Sequence, residues 1–114
     1  MEIEALPEYE KDLRRYGKRY RSLEGDMEVI KAVLKVKPDQ RPPFSQRIDG
    51  LGIETCVIKV RKVACQSLKG RGVDSGFRLV YAWFPEKVRI VLIELYFKGD
   101  KEGEDRALIL KYFK

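Results

Sequence analysis

The sequence predicts an α+β fold, in which an N-terminal helical hairpin packs on a small twisted antiparallel sheet and a short helix ends the chain. Apolar side chains recur at helical spacing in two successive N-terminal segments. β-branched and aromatic residues then fill three later segments that are separated by loop-forming residues. The length of 114 residues allows one hydrophobic core. We therefore expect a single domain over residues 1–114.

Two helices are predicted in the N-terminal part of the chain. Pro7 suits the start of a helix over residues 8–21, and a second helix begins near Leu23 and stops before Pro38. Each helix carries one apolar stripe at i, i+4, i+7 and i+11 spacing, formed by Tyr9, Leu13, Tyr16 and Tyr20 and then by Leu23, Met27, Ile30 and Leu34. We expect both stripes to pack in the core, and the first could instead meet a partner protein.

Three strands are predicted in the second half of the chain, at residues 54–64, 76–84 and 88–98. A tight loop at Pro85-Glu86-Lys87 joins the last two strands, which favours an antiparallel meander. The preceding segment 38–52 is rich in Pro, Gly and Asp and is predicted as a loop. Residues 100–114 are predicted to contain a short terminal helix.

The composition excludes several kinds of catalysis. The chain has no histidine, which rules out Ser-His-Asp and Cys-His mechanisms and leaves Cys56 and Cys65 without the partners of a zinc site. We expect two free thiols, no metal and no cofactor. No apolar run reaches the roughly 20 residues that span a bilayer, and the acidic start MEIEALPEYE is unlike a secretory signal. We therefore expect a cytoplasmic protein without a membrane partner.

Positive charge is concentrated in the middle of the chain. Residues 53–98 hold 9 basic and 4 acidic residues, which is +5 of the net charge of +6. Such a concentration suits a polyanionic partner, and it equally suits a solvated positive face.

The cations of this basic segment are predicted to converge at one end of the sheet. The two-residue period of a strand places Lys59 and Arg61 on one face, Arg78 lies alone among apolar residues, and the last strand ends in Lys98. A cluster of like charges suits a phosphate-binding site. The alternative is that Lys59 and Arg61 protect a strand edge and that Arg78 pairs with Glu94. Further cations stand nearby in sequence at Lys62, Lys69 and Arg71.

Three stretches carry a family resemblance, namely VIKVRKV (residues 57–63), SGFRLVYAW (75–83) and RIVLIELYFKGDKEGEDRALI (89–109). In this order they resemble the RelE/ParE superfamily of type II toxin–antitoxin toxins. The resemblance covers almost the whole chain, and the match at residues 76–81 is its most specific part. It implies a short initial strand near residues 2–6 before the order α-α-β-β-β.

The resemblance implies a ribosome-dependent mRNA endonuclease that cuts in the A site without a metal, through attack of a 2′-hydroxyl on the adjacent phosphate. Arg78 would then hold the scissile phosphate, while Arg61 and Lys98 would stabilise the transition state. Lys59 is the candidate base, because surrounding cations would lower its pKa. Lys62, Lys69 and Arg71 would bind RNA. Many members have a tyrosine near the start of the terminal helix, where this chain has Glu104 and Asp105.

Two other functions are compatible with the sequence. A ParE-like toxin would block DNA gyrase by binding, without nuclease chemistry, and an inactive member would only bind nucleic acid. A toxin of either kind implies a cognate antitoxin as partner, with which it would form a hetero-oligomer. An acidic segment of this antitoxin would suit the basic residues of segment 53–98. That segment could cover the cations or displace the terminal helix, residues 101–113.

Overall fold

The computed structural model describes all residues, 1–114, and contains three α-helices and a five-stranded sheet. In chain order the elements are β1 (Glu2–Ala5), α1 (Pro7–Gly17), α2 (Leu23–Val36), β2 (Ser45–Arg47), β3 (Cys56–Val60), β4 (Phe77–Phe84), β5 (Arg89–Phe97) and α3 (Arg106–Phe113). A short 3₁₀ turn, Pro85–Lys87, joins β4 to β5. The α+β class and the order of the predicted elements are confirmed. No helix is long and apolar enough to cross a bilayer.

The sheet has the order β1-β5-β4-β3-β2 and is mixed. β1 runs parallel to β5, whereas every other pair of neighbours is antiparallel. The prediction of a purely antiparallel sheet is therefore wrong at β1. Most of the chain separates β1 from β5, so no tight turn dictates their relative direction, and the path of the chain through α1 decides it.

Several element boundaries also differ from the predictions. β2 lies within segment 38–52, which was predicted as a loop, because a three-residue strand is too short to show a period. β3 ends at Val60, since the next two backbone N–H groups both donate to the carbonyl oxygen of Phe44. α1 ends at Gly17 rather than near residue 21. α3 begins only at Arg106, because Asp105 caps it by accepting from the Leu108 N–H at 3.0 Å.

The core forms on both faces of the sheet. On one face the predicted helical stripes pack against β3, β4 and β5, and all of their members are buried except Leu13, which is partly buried. On the other face a smaller cluster surrounds Ile109 of α3, which is 0% exposed. One short helix covers this second face, here called the α3 face, and the end of the sheet that carries the basic residues stays accessible.

A β-bulge in β5 decides which side chains reach the α3 face. The register pairs Val80 with Glu94 but Tyr81 with Leu92, so Ile93 has no partner. Beyond this extra residue the alternation is reversed, and Glu94 and Tyr96 share the α3 face with Ile93. Without the bulge, Glu94 and Tyr96 would point towards α1 and α2.

Candidate active site

A cavity of about 480 Å³ opens between the end of β3 and the loop that leads to β4. Its lining contains four cations and one carboxylate and, apart from two prolines, only polar side chains: Pro42, Pro43, Ser45, Gln46, Arg61, Lys62, Asp74, Arg78 and Lys98. A cavity with this lining suits an anion of phosphate size rather than an apolar ligand. It brings together Arg61, Arg78 and Lys98 of the predicted catalytic set and Lys62 of the predicted RNA-binding set.

The register of the sheet places the key cations side by side. Arg78 on β4 pairs with Tyr96 on β5, and Arg61 follows the last residue of β3. Two residues after Arg78 and on the same face of β4, Val80 pairs with Lys59 on β3 and with Glu94 on β5. Neighbouring strands lie about 4.8 Å apart, so the cations of adjacent strands come within reach of one phosphate group.

Both arginines of the cavity are held by uncharged partners. Arg78 Nη1 donates to the carbonyl oxygen of Arg61 at 3.0 Å and to that of Phe77 at 3.3 Å. Arg61 Nη1 donates to Gln46 Oε1 at 3.2 Å. The alternative pairing of Arg78 with Glu94 is not formed. The Glu94 carboxylate accepts instead from Lys101 and from the Asp105 backbone N–H, both in residues 99–113, here called the α3 segment. The two guanidinium groups are thus oriented without being neutralised.

Lys62 is neutralised by an acid within the same cavity. Its Nζ lies 2.7 Å from Asp74 Oδ1, and this hydrogen bond holds the pKa of Asp74 below its usual range, with smaller effects from Lys98 and Arg78. Asp74 is exposed, on the loop between β3 and β4. An incoming anion therefore competes with the Asp74 carboxylate for these cations.

Lys98 is positioned by Gly76, which belongs to the stretch SGFRLVYAW. The backbone N–H of Lys98 donates to the carbonyl oxygen of Gly76 at 2.9 Å. Gly76 has a φ of +96°, and a Cβ there would stand 2.9 Å from the ring of Phe97. Only glycine adopts this φ without strain and leaves room for the Phe97 ring. Gly76 therefore lets the end of β5 lie close to the start of β4.

Lys59 has different neighbours from those expected. It does not line the cavity, and its Nζ lies 3.5 Å from Glu104 Oε1, in the segment before α3. The two side chains are 22% and 12% exposed. The nearest charged partner of Lys59 is therefore a carboxylate and not the expected cluster of cations, which removes the reason for expecting Lys59 alone to act as the base.

Tyr96 is a site residue that the sequence analysis missed. It is 3% exposed, and burial raises its pKa to about 12, with further effects from Glu104 and Glu94 that Arg78 and Arg61 partly oppose. Tyr96 pairs with Arg78 on the neighbouring strand and shares the α3 face with Glu94. The sequence of β5 is apolar at nearly every position from Ile90 to Leu95, and this pattern does not indicate the bulge that turns Tyr96 towards the arginines.

Two predicted RNA-binding residues lie elsewhere. Lys69 and Arg71 are exposed on the loop between β3 and β4 and do not line the cavity. Gly70 and Gly72 flank Arg71 with positive φ values of 82° and 56°. The structure does not bring these two cations to Arg61, Arg78 and Lys98, here called the arginine cluster.

The residues present suit anions better than metal ions. No group of three or more His, Cys, Asp or Glu side chains comes together. Cys56 and Cys65 are free thiols, and burial raises the pKa of each. The charged groups of the cavity are mainly hydrogen-bond donors, which can bind a phosphate and stabilise charge that develops on it.

Comparison with known proteins supports the architecture. No protein-family model matches the chain, and no curated protein sequence matches it significantly. Among solved structures, a chain of the archaeal RelE–RelB complex from Pyrococcus horikoshii OT3 is similar, with 15% sequence identity and a TM-score of 0.59. The match covers 88% of this chain and 97% of that chain. The protein therefore has a RelE-like fold.

Proposed function

We propose that this protein is the toxin of a type II toxin–antitoxin pair and that it cleaves mRNA in the ribosomal A site without a metal. The observation that carries the proposal is the cavity in which Arg61, Arg78 and Lys98 meet without an acidic partner of their own. A RelE-like fold with such a cavity combines the right scaffold with groups that suit a phosphodiester. The toxin domain is proposed to span residues 1–114 and to act in the cytoplasm, where ribosomes are found.

The chemistry follows from the charge of each side chain. Arg78 is oriented by two carbonyl oxygens and would hold the scissile phosphate through its remaining donors. Arg61 and Lys98 would stabilise the negative charge that accumulates when the neighbouring 2′-hydroxyl attacks the phosphorus atom. Removing one such donor from a preorganised site typically slows a reaction about 10²- to 10³-fold. The mRNA would have to displace Asp74 from Lys62.

An antitoxin is proposed as the physiological partner. The solved structure with a similar fold is described as a RelE–RelB complex, which supports such a partner for this chain. The cavity cations need an anionic cover when the toxin is silent, and an acidic antitoxin segment could supply it. The expected assembly is a hetero-oligomer in which this segment occupies or shields the cavity.

The test is cleavage of mRNA in programmed ribosomes by the purified protein, with the cut ends mapped. We expect A-site cuts from the wild type, in the presence of a chelator as well, and a loss of at least about 10²-fold in Arg78→Ala. Arg89→Ala is the matched control, since Arg89 is a half-buried strand arginine at the opposite end of β5. A message with a 2′-deoxynucleotide at the attacking position should resist cleavage.

The proposal is overturned if the wild type arrests growth in cells but leaves ribosome-bound mRNA intact. Inhibition of DNA supercoiling by the purified protein would then favour the ParE-like alternative of gyrase blockade. Absence of both growth arrest and cleavage would favour an inactive nucleic-acid-binding member.

A further inference from the structure

Lys59 and Glu104 come from distant parts of the chain and meet beside the arginine cluster, with Nζ and Oε1 3.5 Å apart. We propose that these two residues form the proton-transfer pair of the site, with Glu104 as the general base and Lys59 as the general acid. This inference rests on the proposed RNA cleavage, because it assigns the two proton transfers which that reaction needs.

Glu104 is the acid near the arginines that suits a base best. Asp74 lines the cavity, but it is 70% exposed and its hydrogen bond to Lys62 lowers its pKa, which makes it a weaker base. Glu94 accepts from Lys101 and from the Asp105 N–H, and Asp105 caps α3 through the Leu108 N–H. Glu104 contacts only the Lys59 amine. Its carboxylate therefore keeps lone pairs for a substrate hydroxyl.

The pair is not required to hold the α3 segment in place. The bonds from Lys101 and from the Asp105 N–H to Glu94 already fix this segment on β5, and Ile109 packs it on the sheet. A largely buried ion pair contributes little net stability, because desolvation offsets its attraction. The register puts Glu94 in the same row of the sheet as Lys59, and Arg61, Arg78 and Tyr96 in the next row on the same face; these are the charged and titratable groups beside the pair.

The pair accounts for every proton in the reaction. Glu104 takes the proton of the 2′-hydroxyl as the O2′–P bond forms, and the P–O5′ bond breaks. The leaving O5′ takes a proton from the Lys59 ammonium group, which leaves a neutral amine and a protonated carboxyl 3.5 Å apart. The proton then passes from Glu104 to Lys59 and restores both groups. The products are a 2′,3′-cyclic phosphate and a 5′-hydroxyl, and no other reactant is consumed.

In-line attack places O2′ and O5′ on opposite sides of the phosphorus atom. The two side chains, 3.5 Å apart without substrate, therefore have to separate as the phosphodiester binds between them, and they meet again for the return of the proton. The low exposure of both side chains keeps competing water away from the transferred proton.

Single-turnover cleavage in programmed ribosomes, with the full chain, tests the inference. Glu104→Gln should slow cleavage by about 10²- to 10⁴-fold with little change in ribosome binding. Lys59→Arg retains the ion pair, but an arginine cannot release a proton at neutral pH. This variant should therefore fold normally and cleave more slowly than the wild type. Glu8→Gln is the matched control, because it removes a carboxylate that contacts α3 through Tyr112, away from the cavity.

Each outcome has one meaning. If Glu104→Gln or Lys59→Arg cleaves within about tenfold of the wild type while Arg78→Ala is inactive, the RNase proposal survives and the pair is only structural. Unchanged thermal unfolding of a slow variant supports the catalytic assignment. If the wild type itself cuts no mRNA, the proposed function fails and the proton-transfer pair fails with it.

Discussion

The hydroxyl of Tyr16 connects α1 to the end of β5, directly before Lys98, and its removal is expected to destabilise the protein. The oxygen accepts from the backbone N–H of Phe97 at 3.2 Å, and the hydroxyl donates to Asp100 Oδ2 at 3.1 Å. Tyr16 is 7% exposed, so water cannot readily replace both bonds. Tyr16→Phe keeps the packed ring and removes only these two interactions.

The expected loss can be worked from the two bonds. A hydrogen bond contributes about 0.5–1.5 kcal/mol net, and a buried donor left without a partner costs about 1–3 kcal/mol. Tyr16→Phe should therefore lower the free energy of unfolding by about 2 kcal/mol, which is roughly 8 °C in Tm for a domain of this size. Urea denaturation followed by circular dichroism measures the first value, and calorimetry measures the second.

Tyr112→Phe is the matched control for this prediction. Its hydroxyl bonds only to the Glu8 carboxylate at an exposed position, so removing it should change the free energy of unfolding by less than about 0.5 kcal/mol. A loss below that limit in Tyr16→Phe as well would refute the reasoning, because the Tyr16 bridge would then contribute nothing beyond ring packing.

Three further predictions concern the cavity and its supports. Gly76→Ala should cost about 1–3 kcal/mol of unfolding free energy in urea, because a side chain at its positive φ is strained and meets Phe97; unchanged stability would contradict this account. Tyr96 keeps its proton in the folded protein up to about pH 12, whereas an unfolded tyrosine ionises near 10. Stability should therefore fall as the pH rises from about 10 to 12, and Tyr96→Phe should make that fall less steep in urea titrations; equal slopes would show that Tyr96 is not involved. Asp74→Asn frees Lys62 and should tighten the binding of a short RNA a few-fold in fluorescence anisotropy, whereas weaker binding would argue that Asp74 orients Lys62 for the ligand.

Much of the fold was predictable because its signals are local. The helical stripes between Tyr9 and Leu34 each predict a helix from about a dozen residues. The β-branched runs predict strands from similarly short segments. The element order and the α+β class follow from them. The direction of β1 did not follow, because its partner β5 lies at the other end of the chain.

The candidate site was predictable only in its cations. The sequence predicted that the cations converge at one end of the sheet, and the cavity contains Arg61, Arg78 and Lys98, although not Lys59. The partners of Asp74 and Glu104 were not predicted, because each of these acids meets its partner through loop geometry. The path of the loop between β3 and β4 brings Asp74 to Lys62, and the turn before α3 brings Glu104 to Lys59.

The sequence by itself determined which residue types this protein can use for chemistry and where along the chain they stand. Without histidine, it offers arginine, lysine, tyrosine and carboxylates for phosphate binding and proton transfer. The tertiary structure alone decided which of them meet. One unpaired residue, Ile93, turns Glu94 and Tyr96 to the α3 face, and no period in the sequence contains that information. Contacts between distant residues depend on register and loop path, and those depend on the packing of the whole chain.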